Sequence, residues 1–223
     1  MTGFQLKNID PEDFECFLMD IETSFGISFS ENELSDIKIL GEFCDYISNK
    51  IELENAKDCT SQQAFYKLRH AISVICKSEL TNIKPSSNLQ DFLPRNTRRE
   101  IVEELEDFLE IKLNILRPPH WVSNTLICFV IASLFSFFID FRIGLFGLAF
   151  SISALWLANN LGNELNIKTV GDLAQKITRE HYINSRRNPQ TFNKTEIEKV
   201  LIDWISNNFH IDKSKLTRDA KFD

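Results

Sequence analysis

Residues 121–160 read WVSNTLICFVIASLFSFFIDFRIGLFGLAFSISALWLANN, and this stretch decides how the rest of the chain is organised. Residues 121–139 are apolar almost throughout, Asp140-Phe141-Arg142 interrupts them, and residues 143–158 are apolar again. A helix rises about 1.5 Å per residue, so about 20 residues cross the roughly 30 Å hydrocarbon layer of a bilayer. The first segment meets that length and the second is marginal. So short a break makes the two helices return side by side, with both flanks on one side of the membrane. Lys112 and Arg117 precede the pair, Lys168 and Lys176 follow it, and Arg142 alone lies at the tip. By the positive-inside rule both soluble flanks, and with them both termini, lie on the cytoplasmic side of a cell membrane. Trp121 and Trp156 fall where the helices would meet the headgroups on that side. Cys128, Ala132 and Ser136 in one segment, and Gly147, Ser151 and Ala154 in the other, form small-residue stripes that predict close helix packing. Neither segment contains a charge, which removes the usual mark of an ion or proton path. Burying both segments in a soluble core would leave too little chain to cover them, so a two-helix transmembrane hairpin is the expectation.

The remainder of the chain is polar enough to bring the mean hydropathy to -0.17. Seven Gly and six Pro in 223 residues argue for a helical chain rather than a loop-rich one. A net charge of -7 disfavours nucleic acid as a partner, because phosphate binding draws on Lys and Arg. The acidity is concentrated in residues 1–57, which hold thirteen Asp and Glu against four Lys. Two readings fit that segment: a solvated helical surface, or a docking surface for a basic protein partner. The five cysteines stand singly, without disulfide or zinc spacing, as suits a reducing cytoplasm. No apolar run follows a basic start at the N-terminus, so no cleavable signal peptide is expected.

Helix signals recur on either side of the hairpin. Asp10 as N-cap, Pro11 in the first turn and Glu12 and Asp13 behind it open a helix, and Gly26 stops it. Phe14, Phe17, Leu18, Ile21 and Phe25 mark its apolar face at helical spacing. Ser30-Glu31-Asn32-Glu33 reads as a capping box that opens a second helix, and Leu40, Phe43, Cys44 and Ile47 line a third. Further helices are expected over 62–79, after a capping box at Thr97-Arg98-Arg99-Glu100, and over 196–209, with 186–190 as a linker.

The run FECFLMDIETSFGI over 14–27, followed by DIKILGEFCDYISNK over 36–50, resembles the acyl carrier protein family: its second helix, its Phe-Gly-Ile exit and its closing helices. The pattern recurs, which is why repeats are sought early. Residues 62–79 resemble a carrier's first helix, 82–92 its long first loop, the helix after Thr97 its second helix, and 167–177 its closing helix. Residues 196–209 and the loop after them look like one more first helix and loop. The resemblance implies an all-α fold of two small carrier-like bundles with the hairpin inserted in the second. Residues 1–57 would supply one unit from its second helix onward. Residues 60–115 and 165–182 would form the other around the hairpin at 121–160, and 193–223 would complete the first bundle, within one chain or between two chains of a homodimer.

In that family an Asp-Ser-Leu motif at the start of the second helix carries phosphopantetheine. The matching position here is Pro11, after Asp10, and in the second unit it falls at about Arg95. Neither side chain can accept the group, so no cofactor is expected. The acidic second helix of a carrier docks on basic patches of enzymes, which makes Glu12, Asp13, Glu15, Asp20 and Glu22 docking candidates here. Arg95, Arg98 and Arg99 form a basic counterpart, suited to anionic lipid headgroups, to a carrier's acidic helix or to the chain's own acidic region. His70, His120, His181 and His210 lie in separate segments, without metal-ligand spacing. No phosphate loop, nucleophile elbow or zinc-protease motif occurs, and the adjacent carboxylates of 103–107 point in different directions on a helix. Binding rather than catalysis is the expectation: a membrane-tethered, non-acylated scaffold that docks a partner such as an enzyme of acyl or lipid chemistry. The contrasting readings are a membrane-associated immunity or accessory protein, and a working carrier modified at another serine.

Overall fold

The computed structural model describes residues 9–222. Among them run the helices α1 (Pro11–Phe25), α2 (Leu40–Lys50), α3 (Thr60–Ile75), α4 (Arg98–Leu109), α5 (His120–Ser136), α6 (Phe141–Asn160), α7 (Val170–Glu180), α8 (Tyr182–Ser185) and α9 (Lys194–Asn208). The strands are two-residue pieces: β1 (Glu54–Asn55) pairs in parallel with β4 (Thr191–Phe192), and β2 (Leu116–Arg117) pairs antiparallel with β3 (Glu164–Leu165). The protein is mostly helical, as its composition leads one to expect.

The helix ends follow their local chemistry in part. Asp10 accepts the Glu12 N–H at 2.9 Å and Pro11 occupies the first helical position of α1, where its missing N–H leaves nothing unpaired. Gly26 ends the helix with φ 63°, a left-handed conformation in which any side chain would be strained. The segment from Ser30 departs from its reading: residues 31–36 form turns rather than a helix, with Asn32 at φ 61°. The Ser30 N–H does reach Glu33 at 2.6 Å, but Glu33 is also held by Tyr46 and Lys50 of α2, and the chain turns across that helix instead of continuing. Thr97 precedes α4 without a side-chain cap bond, because its backbone (φ -114°, ψ 6°) is not the extended one an N-cap needs.

Two cores result. In the first, Phe17, Ile21 and Phe25 of α1 and Leu40, Phe43 and Ile47 of α2 pack against Ile197, Leu201, Trp204 and Ile205 of α9. Phe17 meets the Trp204 ring edge-on at 5.4 Å, and Phe222 lies 5.6 Å from both Phe14 and Phe43. The first helix and the residues that follow α9 therefore meet within one molecule. In the second core Leu68 and Ile72 of α3 pack with Leu105 of α4 and Leu173, Ala174 and Ile177 of α7. Tyr182 is a boundary departure, since it follows the closing helix of the second unit but is buried in the first core.

The two units are fastened by the same backbone bonds. In the first, Leu40 N–H donates to Ala220, Gly41 N–H to Arg218, and Phe222 N–H to the Lys38 carbonyl. In the second, Val170 N–H donates to Ser87, Gly171 N–H to Pro85, and Leu89 N–H to the Lys168 carbonyl. Residues 218–222 thus stand to α2 as residues 85–89 stand to α7, one register throughout. The first unit takes its loop from the far end of the chain, after α9, and the second takes it from the segment just after α3.

The units abut along α1, α7 and α9. Ser24 donates to the Arg179 carbonyl at 2.5 Å and accepts the Tyr182 N–H at 2.9 Å. Of residues 186–190, residues 187–190 are exposed, but Arg186 is anchored in the fold. Arg186 is 1% exposed and donates to Thr60 Oγ1 at 2.6 Å, Thr191 Oγ1 at 3.1 Å and the Asp58 carbonyl at 3.2 Å. A buried guanidinium needs such partners, and they tie α3 to the β1–β4 pair.

Candidate docking and membrane-contact surfaces

α5 and α6 form an antiparallel hairpin that projects from the β2–β3 pair and has its large side chains outward. Its tip differs from the sequence reading. Asp140 accepts the Arg142 N–H at 2.7 Å and caps α6, so Phe141 and Arg142 belong to the first turn of that helix. α5 ends at Ser136 in a tightened turn, where Phe138 N–H bonds Phe135 and Ile139 N–H bonds Ser136. The lengths are thereby exchanged: α6 has 20 residues and α5 has 17. Among the described residues α6 is the one helix long and apolar enough to cross a membrane, and 11% of its most apolar 18-residue window is buried.

The seam between the helices also corrects the reading. In α6 Ser151 is buried and Gly147 and Ala154 are half-buried, on the expected side. A Cβ on Gly147 would stand 2.6 Å from Ser133 Oγ, so only glycine lets the helices come this close. In α5 the inward residue is Ser133, whereas Cys128 and Ala132 face outward. Ser136 is half-buried, so the expected α5 stripe meets the seam only at its last residue. Trp121 and Trp156, 72% and 68% exposed, stand at the end of the hairpin nearest the bundles.

The acidic candidates lie on α1. Glu12, Asp13, Glu15 and Asp20 are exposed, with Cys16 and Met19 between them. The Asp20 carboxyl is held above its usual range by partial burial and then by neighbouring Glu180, against the pull of Lys176. Glu22 is half-buried and takes the Phe29 N–H, so it braces the turn after Gly26 rather than facing a partner. Pro11 is exposed at the helix start, beside an apolar pocket of about 320 Å³ lined by Ile9, Pro11, Phe14, Leu34, Ile37, Phe43 and Phe222.

The basic candidates separate. Arg95 is exposed in the turn before α4 and pairs with Glu164 at 2.5 Å. Arg98 is 5% exposed and donates to the Leu93 carbonyl at 3.0 Å and the Asn163 carbonyl at 2.6 Å. It bolts the start of α4 to the strand leaving the hairpin and cannot serve as a docking residue. The helix repeat alone concealed this, because the burying element arrives from sixty-five residues away in the chain. Arg99 is exposed on a polar cleft of about 300 Å³ at the hairpin base, with Glu103, Glu106, Lys112, Asn159 and Asn160.

A feature that local sequence signals did not mark is a second cleft, about 490 Å³, where the bundles meet. Its lining includes Cys59, Ser61, Arg179, Glu196, Lys199, Asp203 and Lys213. Among the described residues no three His, Cys, Asp or Glu side chains converge as metal ligands would. The fold and these surfaces define a mostly helical protein of two interlocked units with a bare apolar hairpin. No protein-family model, no curated protein and no solved structure matches the chain.

Proposed function

We propose that this protein is a membrane-anchored, non-acylated docking module whose two bundles resemble acyl carrier proteins. The hairpin inserts in the bilayer with its Asp140–Arg142 tip on the far side, α6 crossing and α5 lying against it, while both bundles and both termini stay cytoplasmic. The exposed α1 face, Glu12, Asp13, Glu15 and Asp20, receives a basic protein partner such as a carrier-dependent enzyme. Arg95 and Arg99, near the hairpin base, face anionic headgroups. Proline at position 11 rules out that residue as a phosphopantetheine anchor and favours binding over carrier chemistry. An acidic face serves an immunity or accessory protein equally well, and the identity of the captured partner separates those readings.

One observation carries the membrane reading: the bareness of α6, which keeps large apolar side chains such as Phe146, Phe150 and Trp156 at 68–75% exposure. A surface of that kind is not stable in water and calls for lipid. The native cysteines provide the test, since Cys59 is exposed on a bundle and Cys128 is exposed midway along α5. In inverted membrane vesicles an impermeant maleimide is expected to label a variant retaining only Cys59, and to label one retaining only Cys128 after SDS is added. Equal labelling of the two in intact vesicles would refute insertion.

A further inference from the structure

The cleft between the bundles is walled by the first turn of α3, the last turns of α7 and α9 from Thr195 to Asp203, with Lys213 from the turn beyond. It carries three cations, Arg179, Lys199 and Lys213, and two carboxylates, Glu196 and Asp203. Both carboxylates are already engaged. Glu196 accepts the Thr60 N–H with its two oxygens at 3.2 and 3.0 Å, and Asp203 holds Lys213 at 2.7 Å. Arg179 and Lys199 make no side-chain hydrogen bond or ion pair with another described residue.

For Arg179 that state is unusual. Its side chain is half-buried, and burial lowers its proton affinity more than the carboxylates of Glu180, Asp203 and Asp172 raise it. A guanidinium keeps its charge even so, and a partly desolvated charge without a contact partner is costly. Arg186 of the same protein shows the alternative: it is more deeply buried and donates to three oxygens. The N-terminus of the 16-residue α3 adds positive potential at the cleft, partly answered by Glu196.

We propose that this cleft binds a small phosphate monoester, with the Arg179 fork on two phosphate oxygens and the Lys199 ammonium as the second cation. A phosphate fits better than a single carboxylate because the half-buried Arg179 and the exposed Lys199 offer it two positive charges and a planar guanidinium meets two oxygens at once. The cleft volume exceeds that of the phosphate group, and Gln175, Ser61 and Val200 line the remainder, where a short polar or mixed organic portion fits. Arg179 belongs to α7 and Lys199 to α9, so the bound ligand links the closing helix of one unit to the helix that completes the other. This site is independent of membrane insertion and of the α1 surface.

The test is calorimetric titration of the full chain in lipid nanodiscs with glycerol 3-phosphate, orthophosphate and succinate. Saturable binding of glycerol 3-phosphate is expected, weakened at least about tenfold by Arg179→Gln and by Lys199→Gln and unchanged by Lys84→Gln, an exposed lysine outside the cleft. Neither cleft substitution removes a side-chain bond within the protein, and unchanged circular dichroism checks that both variants fold. Saturation by orthophosphate with no response to the ester would overturn the assignment of a monoester. No binding below about 10 mM, binding that survives both cleft substitutions, or equal binding of succinate would overturn the site itself.

Discussion

Replacing Trp204 by alanine is expected to release α1, whose residues lie some 180 positions earlier in the chain. Trp204 is 1% exposed, edge-on to Phe17 at 5.4 Å and tilted against Phe25 at 6.4 Å. Truncation of a buried tryptophan costs about 3–5 kcal/mol in lost transfer energy and cavity, against a domain stability of about 5–15 kcal/mol. If the first bundle opens as a unit, that loss multiplies its opening equilibrium by roughly a hundred- to several-thousand-fold. Hydrogen exchange read by mass spectrometry should therefore show the amides of α1 and α2 losing protection by that factor. The amides of α3 and α4, whose core holds Leu68, Ile72 and Leu105 and lacks Trp204, provide the internal control. Unchanged α1 exchange in Trp204→Ala, or a loss spread equally over α3 and α4, would refute the closing of the first bundle by α9.

Arg98→Met should cost about 2–4 kcal/mol in chemical denaturation, because it strands the Leu93 and Asn163 carbonyls, while Arg95→Met should change stability by less than about 1 kcal/mol, its pair with Glu164 being exposed. The Lys50 ammonium first, then the Tyr46 hydroxyl and the Ser30 N–H, hold the Glu33 carboxyl down to about 2 from an ordinary 4.5. A depressed carboxyl pKa stabilises the fold above the unfolded value and loses that effect as the pH falls through the folded one. Thermal melts between about pH 4.5 and 2 should accordingly fall less steeply for Glu33→Gln than for the parent. Charge reversal at Asp13, Glu15 and Asp20 should abolish crosslinked capture of a partner from solubilised membranes with helicity intact, whereas reversal at Arg95 and Arg99 should reduce vesicle binding instead; capture indifferent to the α1 variant would count against docking there.

Much of the local structure was legible in advance, and its limits have a common cause. Asp10, Pro11 and Gly26 act within a few residues of themselves, so the start and stop of α1 stand in the sequence, as does the apolar character of both hairpin segments. Signals of the same kind misled where a distant element intervened. Ser30-Glu33 has the letters of a capping box, but Tyr46 and Lys50 compete for Glu33 and the chain turns instead. Arg98 has surface spacing on α4, yet the strand leaving the hairpin covers it.

The sequence by itself determined a mostly helical chain, its acidic first segment and the hairpin, because helix periodicity, capping and an unbroken apolar run are properties of neighbouring residues. Only the tertiary structure decided that α9 closes the bundle begun by α1 and α2, that 218–222 grip α2 in the register by which 85–89 grip α7, and that the Arg186 side chain is held by three oxygens while that of Arg179 has no hydrogen bond or ion pair among the described residues. Each of those outcomes depends on groups brought together from distant parts of the chain or on a partner's absence, and neither leaves a mark on the letters nearby.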